Sequence, residues 1–392
     1  MLIALLMSIV AISIDALLPA LGFISNDIPL SHENQAQYII SALFLGMAIG
    51  QLVCGPISDA TGRKKVLYAG IVLFFCGSLM CFFAQDINTL LIGRFIQGIG
   101  VAGPYVSAIS IVRDKYAGNE MARVMSLVMM IFIMVPALAP SLGQAVLLVS
   151  SWRYIFVLYI VYALIIAIWI YFRLEETLPK EYRIPFSTQG FIEGFKEVVS
   201  NHSTMSYTVC MGLFFGSFLG YLTSSQQIFQ DLFHTGKLFT VYFGILALVF
   251  GVASLVNARF VEKWGMDFLC TGAVQGIIVS SGLFLITLLL LPTNFWLFMI
   301  YAAVIFFCFG LVFGNFNAMA MEPMGHVAGI ASAIIGATSS ILSMLIGTTI
   351  GQLYNGTLIP VTCGFLILGT IALVILQIAR KKKALQLESA IN

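Results

Sequence analysis

Apolar runs of about twenty residues follow one another almost without pause from Leu2 to Ile378, and this repetition decides what the chain can become. A helix rises about 1.5 Å per residue and a bilayer core is about 30 Å thick, so runs of this length are membrane spans rather than core helices. Composition agrees. Hydrophobic residues make up 60% of the 392 and charged residues 9%, with a mean hydropathy of +1.01. A globular chain carries about 25% charge.

The runs predict an all-α membrane protein of about twelve transmembrane helices in two six-helix bundles. The first six spans fall near Leu2–Leu21, Tyr38–Ile57, Val66–Ala84, Asn88–Ile111, Arg123–Val149 and Trp152–Phe172. The second six fall near Met205–Ser224, Phe239–Phe260, Phe268–Leu290, Phe295–Ala320, Ala328–Leu353 and Leu358–Ile378. The domains are therefore residues 1–172, a linker over 173–204, and 205–392 with a basic tail. Charge concentrates in the linker, at Glu175, Glu176, Lys180, Glu181, Arg183, Glu193, Lys196 and Glu197. Within it Phe191, Phe195, Val198 and Val199 recur at helical spacing, which predicts an amphipathic helix on the membrane surface.

Lys and Arg in short loops stay on the cytoplasmic side. With both termini inside, only Arg94, Arg153 and Lys237 point to the outer face, and the other sixteen of nineteen basic residues lie inside. The net charge of +2 thus reports orientation and gives no basis for nucleic-acid binding. The first span has no basic leader and no small-residue cleavage site, so it is expected to be a retained helix. The seven cysteines sit in or beside spans without metal-ligand spacing and are expected to pack, with no metal site.

Transporter folds are often two related bundles around a shared site. Here GPISDATGRKK after the second span has a weaker counterpart, NARFVEKWG, after the eighth. In the stronger copy, Gly55 is expected to let helices two and eleven approach, and Gly62 to permit a tight turn. Asp59 is expected to face the amino-terminal end of the eleventh span near Val327–Gly329, with Arg113 as a candidate ion partner. The alternative is a solvated basic loop that only fixes topology.

Asp15 is the sharpest residue, because it lies inside an otherwise apolar span with no charged neighbour at helical spacing. A centred Asp costs about 2.5–3.5 kcal/mol, so it is expected to face the bundle interior and mark a proton path. A fixed hydrogen bond or ion pair is the competing role. Arg94 is expected either to serve the same proton site or to snorkel toward the outer interface. Gln51 and Gln97 are buried amides, available to a cavity or to helix packing. Tyr38, Phe44, Tyr105, Tyr221, Gln226 and Asn317 are the candidate substrate contacts, against roles in the interfacial belt or packing. Pro136 and Pro140 are expected to let the fifth span bend beside Gly143.

Gly55, Asp59, Gly62, Arg63 and Lys64 match the hinge signature Gly-x-x-x-Asp-x-x-Gly-Arg-Lys of the major facilitator superfamily. Arg94, Gln97, Gly98 and Gly100 resemble its fourth-helix motif, and Ala139, Pro140 and Gly143 its fifth-helix antiporter motif. Ala139 and Gln144 replace two glycines usual in the latter, and Ala60 replaces a common hinge arginine. DALLPAL, GQLVCGPISD, IVRD, WRYIF and EETLP narrow the resemblance to the bicyclomycin-resistance (Bcr/CflA) branch of the drug:proton antiporters. The resemblance spans nearly the whole chain. It implies a monomeric exporter of amphipathic small molecules in the bacterial inner membrane, driven by the proton gradient without a further cofactor, with Asp15 and Arg94 in proton coupling. The hinge residues, Arg113, Pro136, Pro140 and Gly143 would gate it.

Three alternatives remain. A dedicated exporter of one metabolite, such as a siderophore, shares the fold. A proton-coupled nutrient symporter is disfavoured by the Ala139-Pro140 motif. A membrane-embedded enzyme lacks support, because His32, His202, His234 and His326 are scattered and no HExxH, GxSxG or P-loop string occurs.

Overall fold

The computed structural model describes residues 2–116, 118–183 and 187–391. Apart from short 3-10 and π turns, the described residues form α-helices and no strand. The first half holds α1 (Leu2–Asp15), α2 (Leu21–Asp27), α3 (Tyr38–Thr61), α4 (Arg63–Phe82), α5 (Ile87–Lys115), α6 (Gly118–Val149) and α7 (Arg153–Arg173). After α8 (Thr188–Ser200) come α9 (His202–Gln226), α10 (Phe239–Trp264), α11 (Met266–Leu290), α12 (Phe295–Met321), α13 (Ala328–Gln352) and α14 (Ile359–Ile391). Among the described residues, eleven helical segments are long and apolar enough to cross a bilayer, and Met134–Val149 in α6 is a shorter apolar stretch.

The chain groups into two compact units, Met1–Phe191 with Ser225–Ala247, and Ile192–Ser224 with Leu248–Asn392. The turn after α9 joins the first unit through side-chain amides. The Gln37 amide donates to Gln227 at 2.7 Å, and the Gln227 amide donates to Asn34 at 3.0 Å.

The sequence predicts one unbroken first span, and the structure breaks it. α1 stops at Asp15, a 3-10 turn covers Leu18–Ala20, and α2 begins at Leu21. Pro19 is the cause. It has no N–H for the carbonyl four residues back, which belongs to Asp15, and its ring crowds that carbonyl.

In the first unit α5 lies between α3 and α4. A methyl group on Gly98 would sit 2.1 Å from the Leu43 carbonyl oxygen of α3, and one on Gly100 would sit 2.4 Å from the Phe74 nitrogen of α4. Small residues let helix backbones close to van der Waals contact where lipid gives no hydrophobic drive to associate. These two motif glycines therefore set the spacing of three helices. In the second unit Gly212, Gly216 and Gly220 form a stripe on α9 that receives Leu342, Ile346 and Ile350 of α13. Asn257 of α10 and Asn315 of α12 exchange amide hydrogen bonds at 2.7 and 3.3 Å. In α8, Val198 is buried against the protein while Ile192, Phe195 and Val199 stay exposed.

Gly98→Leu is expected to drive α3 from α5 and to lower the melting temperature of the detergent-purified protein by several degrees, since overpacking costs about 1–3 kcal/mol. Gly272→Leu in α11, where an added Cβ meets nothing within 4 Å, should melt like wild type. Equal melting of both variants would remove the close-approach role of Gly98.

Candidate functional site

The break in the first span places a carboxyl at the carbonyl end of a half-helix. Asp15 is 5% exposed, and no described side chain forms a hydrogen bond or ion pair with it. The last turn of α1 carries released carbonyls. The Leu17 N–H has tightened onto Ile14 at 3.2 Å, which leaves the Ser13 carbonyl without the partner a continuing helix would supply. In a bilayer a freed carbonyl needs a donor from a neighbouring helix.

Arg94 of α5 provides it. Its guanidinium is fully buried and donates from Nη2 to the Ser13 carbonyl at 2.8 Å, from Nε to the Ile39 carbonyl at 3.2 Å, and from Nη1 to Gln97 Oε1 at 2.7 Å. Snorkelling is thus excluded, because all three acceptors lie inside the first unit. Gln97 passes the contact on through its Nε2, which donates to Ser78 Oγ of α4 at 2.6 Å. Tyr159 of α7, also fully buried, donates its hydroxyl to the same Ser13 carbonyl at 3.3 Å. On the remaining side α6 presses Gly143 onto the Ala16 carbonyl oxygen, which would lie 1.8 Å from any Cβ there. Ala139 and Pro140 are buried beside it in sequence, and Pro136 is half-buried.

The hinge is a second polar centre. Gly62 adopts φ +104°, a conformation strained for other residues. The Glu176 carboxylate accepts the backbone N–H of Arg63 at 2.9 Å and of Lys64 at 3.2 Å, so it caps the amino terminus of α4. A Cβ on Gly62 would meet that carboxylate at 2.5 Å. Arg63, with 3% of its side chain exposed, donates to Asp59 at 2.5 Å, to Ser58 Oγ at 3.1 Å and to Asp114 at 2.9 Å. Thr177 Oγ1 donates to Asp114 at 3.1 Å. The ion partner of Asp59 is therefore Arg63, one turn ahead on the next helix, and the Arg113 side chain lies outside the described residues.

The other candidates scatter. Gly55, Phe44 and Gln51 are buried in α3, and Lys64 is half-buried in α4. Tyr38 is half-buried and meets His32 edge to face, and Tyr105 is half-buried in α5. The Gln226 amide donates to Gln230 at 3.1 Å and Asp231 at 3.4 Å and abuts Gly22, all within the first unit. Tyr221 is buried in α9 against Phe218 and Phe306, and Asn317 of α12 is exposed, both in the second unit. Sequence reasoning missed Ser13, Ser78, Tyr159, Asp114 and Glu176. The last two had a signal in IVRD and EETLP, since a buried hinge cation needs anions. The hydroxyls had none.

The description Major Facilitator Superfamily matches residues 3–348 of this chain. The chain belongs to the Major Facilitator Superfamily. It is 31% identical over 347 residues to the uncharacterized MFS-type transporter YdgK of Bacillus subtilis, covering 87% of this chain and 85% of that one. It is 27% identical over 348 residues to the bicyclomycin resistance protein homolog of Haemophilus influenzae (88% and 87% covered). It is 30% identical over 363 residues to the multidrug resistance protein MdtL of Salmonella paratyphi A (86% and 88% covered). The partially occluded inward-open xylose transporter XylE of E. coli shares the fold, with TM-score 0.74, 14% identity and coverage of 97% and 96%. The chain is thus a multi-pass membrane transporter of this superfamily.

Removing Arg63 leaves two carboxylates facing each other, and truncating the cation of a buried pair costs about 3–5 kcal/mol. Arg63→Ala should therefore destabilise the protein more than Asp114→Asn, and Asp114→Asn more than Asp59→Asn, following side-chain exposures of 3%, 13% and 27%. Thermal melts of the three variants check the order, and an Asp59→Asn melt as low as that of Arg63→Ala would contradict it.

Proposed function

We propose that this superfamily member is a proton-coupled exporter of amphipathic small molecules, working by alternating access as a monomer in the bacterial inner membrane with both termini cytoplasmic. The observation that carries the reading is Asp15: a buried carboxyl at a helix break, without a described hydrogen-bond or ion partner. Intramembrane carboxyls of this kind mark proton relays, and carbonyl ends of broken helices hold protons and cations in transporters. A permanent clasp, which would freeze the group in one state, is missing among the described residues.

In this cycle a proton from the outer face loads Asp15 and releases the substrate. Loss of the proton inside then resets the site. A potential of 100 mV supplies about 2.3 kcal/mol per charge, and one pH unit about 1.4 kcal/mol. One proton therefore supports a gradient of several hundredfold for a neutral compound, at about 1.4 kcal/mol per tenfold. Relatives named for bicyclomycin and multidrug resistance support a drug-like cargo. Arg94 is the buried cation beside this site, and three of its five N–H donors are held by two carbonyls and an amide, so a neutral, zwitterionic or monocationic lipophile suits the site better than a polyanion.

Reconstitution in liposomes under an imposed pH gradient, with chloramphenicol-like drugs and siderophores offered side by side, tests the reading. Wild type should accumulate a neutral drug uphill, whereas Asp15→Asn should only equilibrate it. Uphill export by Asp15→Asn at the wild-type rate would sink the proton assignment. Flux of a siderophore alone would narrow the cargo to one metabolite.

A further inference from the structure

At the Ser13 carbonyl two other helices take hold of the broken end of α1. It lies two residues before Asp15, and its natural helical donor, the Leu17 N–H, has moved to Ile14. Arg94 of α5 and Tyr159 of α7 fill the vacancy from opposite neighbours. Arg94 alone has other acceptors in Ile39 and Gln97, but the Tyr159 hydroxyl has this carbonyl as its hydrogen-bond partner. The ring is fixed by edge contacts with Phe156 at 5.7 Å and a tilted contact with Phe74 at 6.1 Å, so the hydroxyl arrives at Ser13 without rotamer freedom to lose.

We propose that Tyr159 is a positioning residue of the proton site: by sharing the Ser13 carbonyl with Arg94 it keeps the last turn of α1 open and so fixes where Asp15 stands. The inference rests on the reading of Asp15 as the proton carrier. Its physical content is a competition for one acceptor. Either Leu17 N–H returns to Ser13 and the helix closes up by one turn, or Tyr159 and Arg94 hold the carbonyl and the break persists. Closing that turn would rotate the residues that follow Ser13, because an α-helix and a 3-10 turn advance by different angles per residue.

Among the described residues, Tyr159 interacts electrostatically with Arg94 of α5, Asp15 of α1 and Cys81 of α4. The facing stretch of α6, 134–149, contains no titratable residue. Three residues along α7, Tyr162 supplies an internal control, since its hydroxyl donates to the Leu5 carbonyl at 3.0 Å and meets Ser8 Oγ at 2.6 Å in an unbroken part of α1.

The test is infrared titration of the protonated-carboxyl band in the full chain in lipid nanodiscs, with the Asp15 band identified as the one Asp15→Asn removes. Tyr159→Phe should change the proton affinity of that band by about 3- to 10-fold, the weight of one neutral hydrogen bond. Tyr162→Phe should leave it within about 2-fold while losing a comparable bond. Tyr159→Phe titrating like wild type, or moving no further than Tyr162→Phe, overturns the inference and leaves the Asp15 reading standing. A wild-type protein with no titrating band that Asp15→Asn removes overturns both.

Discussion

A carbonyl set free inside hydrocarbon has no water to turn to, and the first unit is arranged around that constraint. Pro19 frees the end of α1, and the released groups are met by whichever helices can reach them: α5 with a guanidinium, α7 with a phenol, α6 with a glycine face. This explains why a fully buried arginine is tolerated in a chain with 9% charge. Three of its five N–H donors meet preformed acceptors, so part of the usual penalty for burying a cation is offset by hydrogen bonds that the broken backbone needed in any case.

The glycines serve the same end. Arg94 reaches Ser13 and Ile39 because α5 lies close to its neighbours, and that closeness depends on Gly98 against α3 and Gly100 against α4. The fourth-helix motif is thus one device with two parts, a set of small residues that brings the helix in and a polar pair that uses the proximity. Gln97 extends the pair to Ser78, so α4, α5 and α1 are tied through a single buried chain of hydrogen bonds.

Much of this was legible from residue order. Span length follows from hydropathy alone, and the described helices match nearly every expected run. Asp15 and Arg94 stood out because charge is rare inside apolar runs, and the hinge glycine because it sits in a charge-dense turn between two of them. What was not legible depended on partners distant in sequence. The break at Asp15 was available from Pro19 in principle, yet the donors that make it tolerable lie on other helices, at Arg94 and Tyr159. The pairing of Arg63 with Asp59 and Asp114 was not legible either, because Asp114 reaches the hinge only after α5 has returned to the same face. The α9 glycine stripe takes its meaning from α13, more than a hundred residues further along the chain.

Glu176 gives the hinge an unusual dependence on order of synthesis. The helix it caps begins at Arg63, more than a hundred residues upstream. When α3 and α4 first enter the bilayer, the turn between them has a glycine in a strained-for-others conformation and two open N–H groups, with no acid yet made to receive them. The joint can set only after α7 has crossed and returned the following segment to the side of the hinge. Ribosome-bound intermediates that stop short of residue 176 would hold the right helices with a slack corner between them, and maturation of that corner is a late event in the life of the nascent chain.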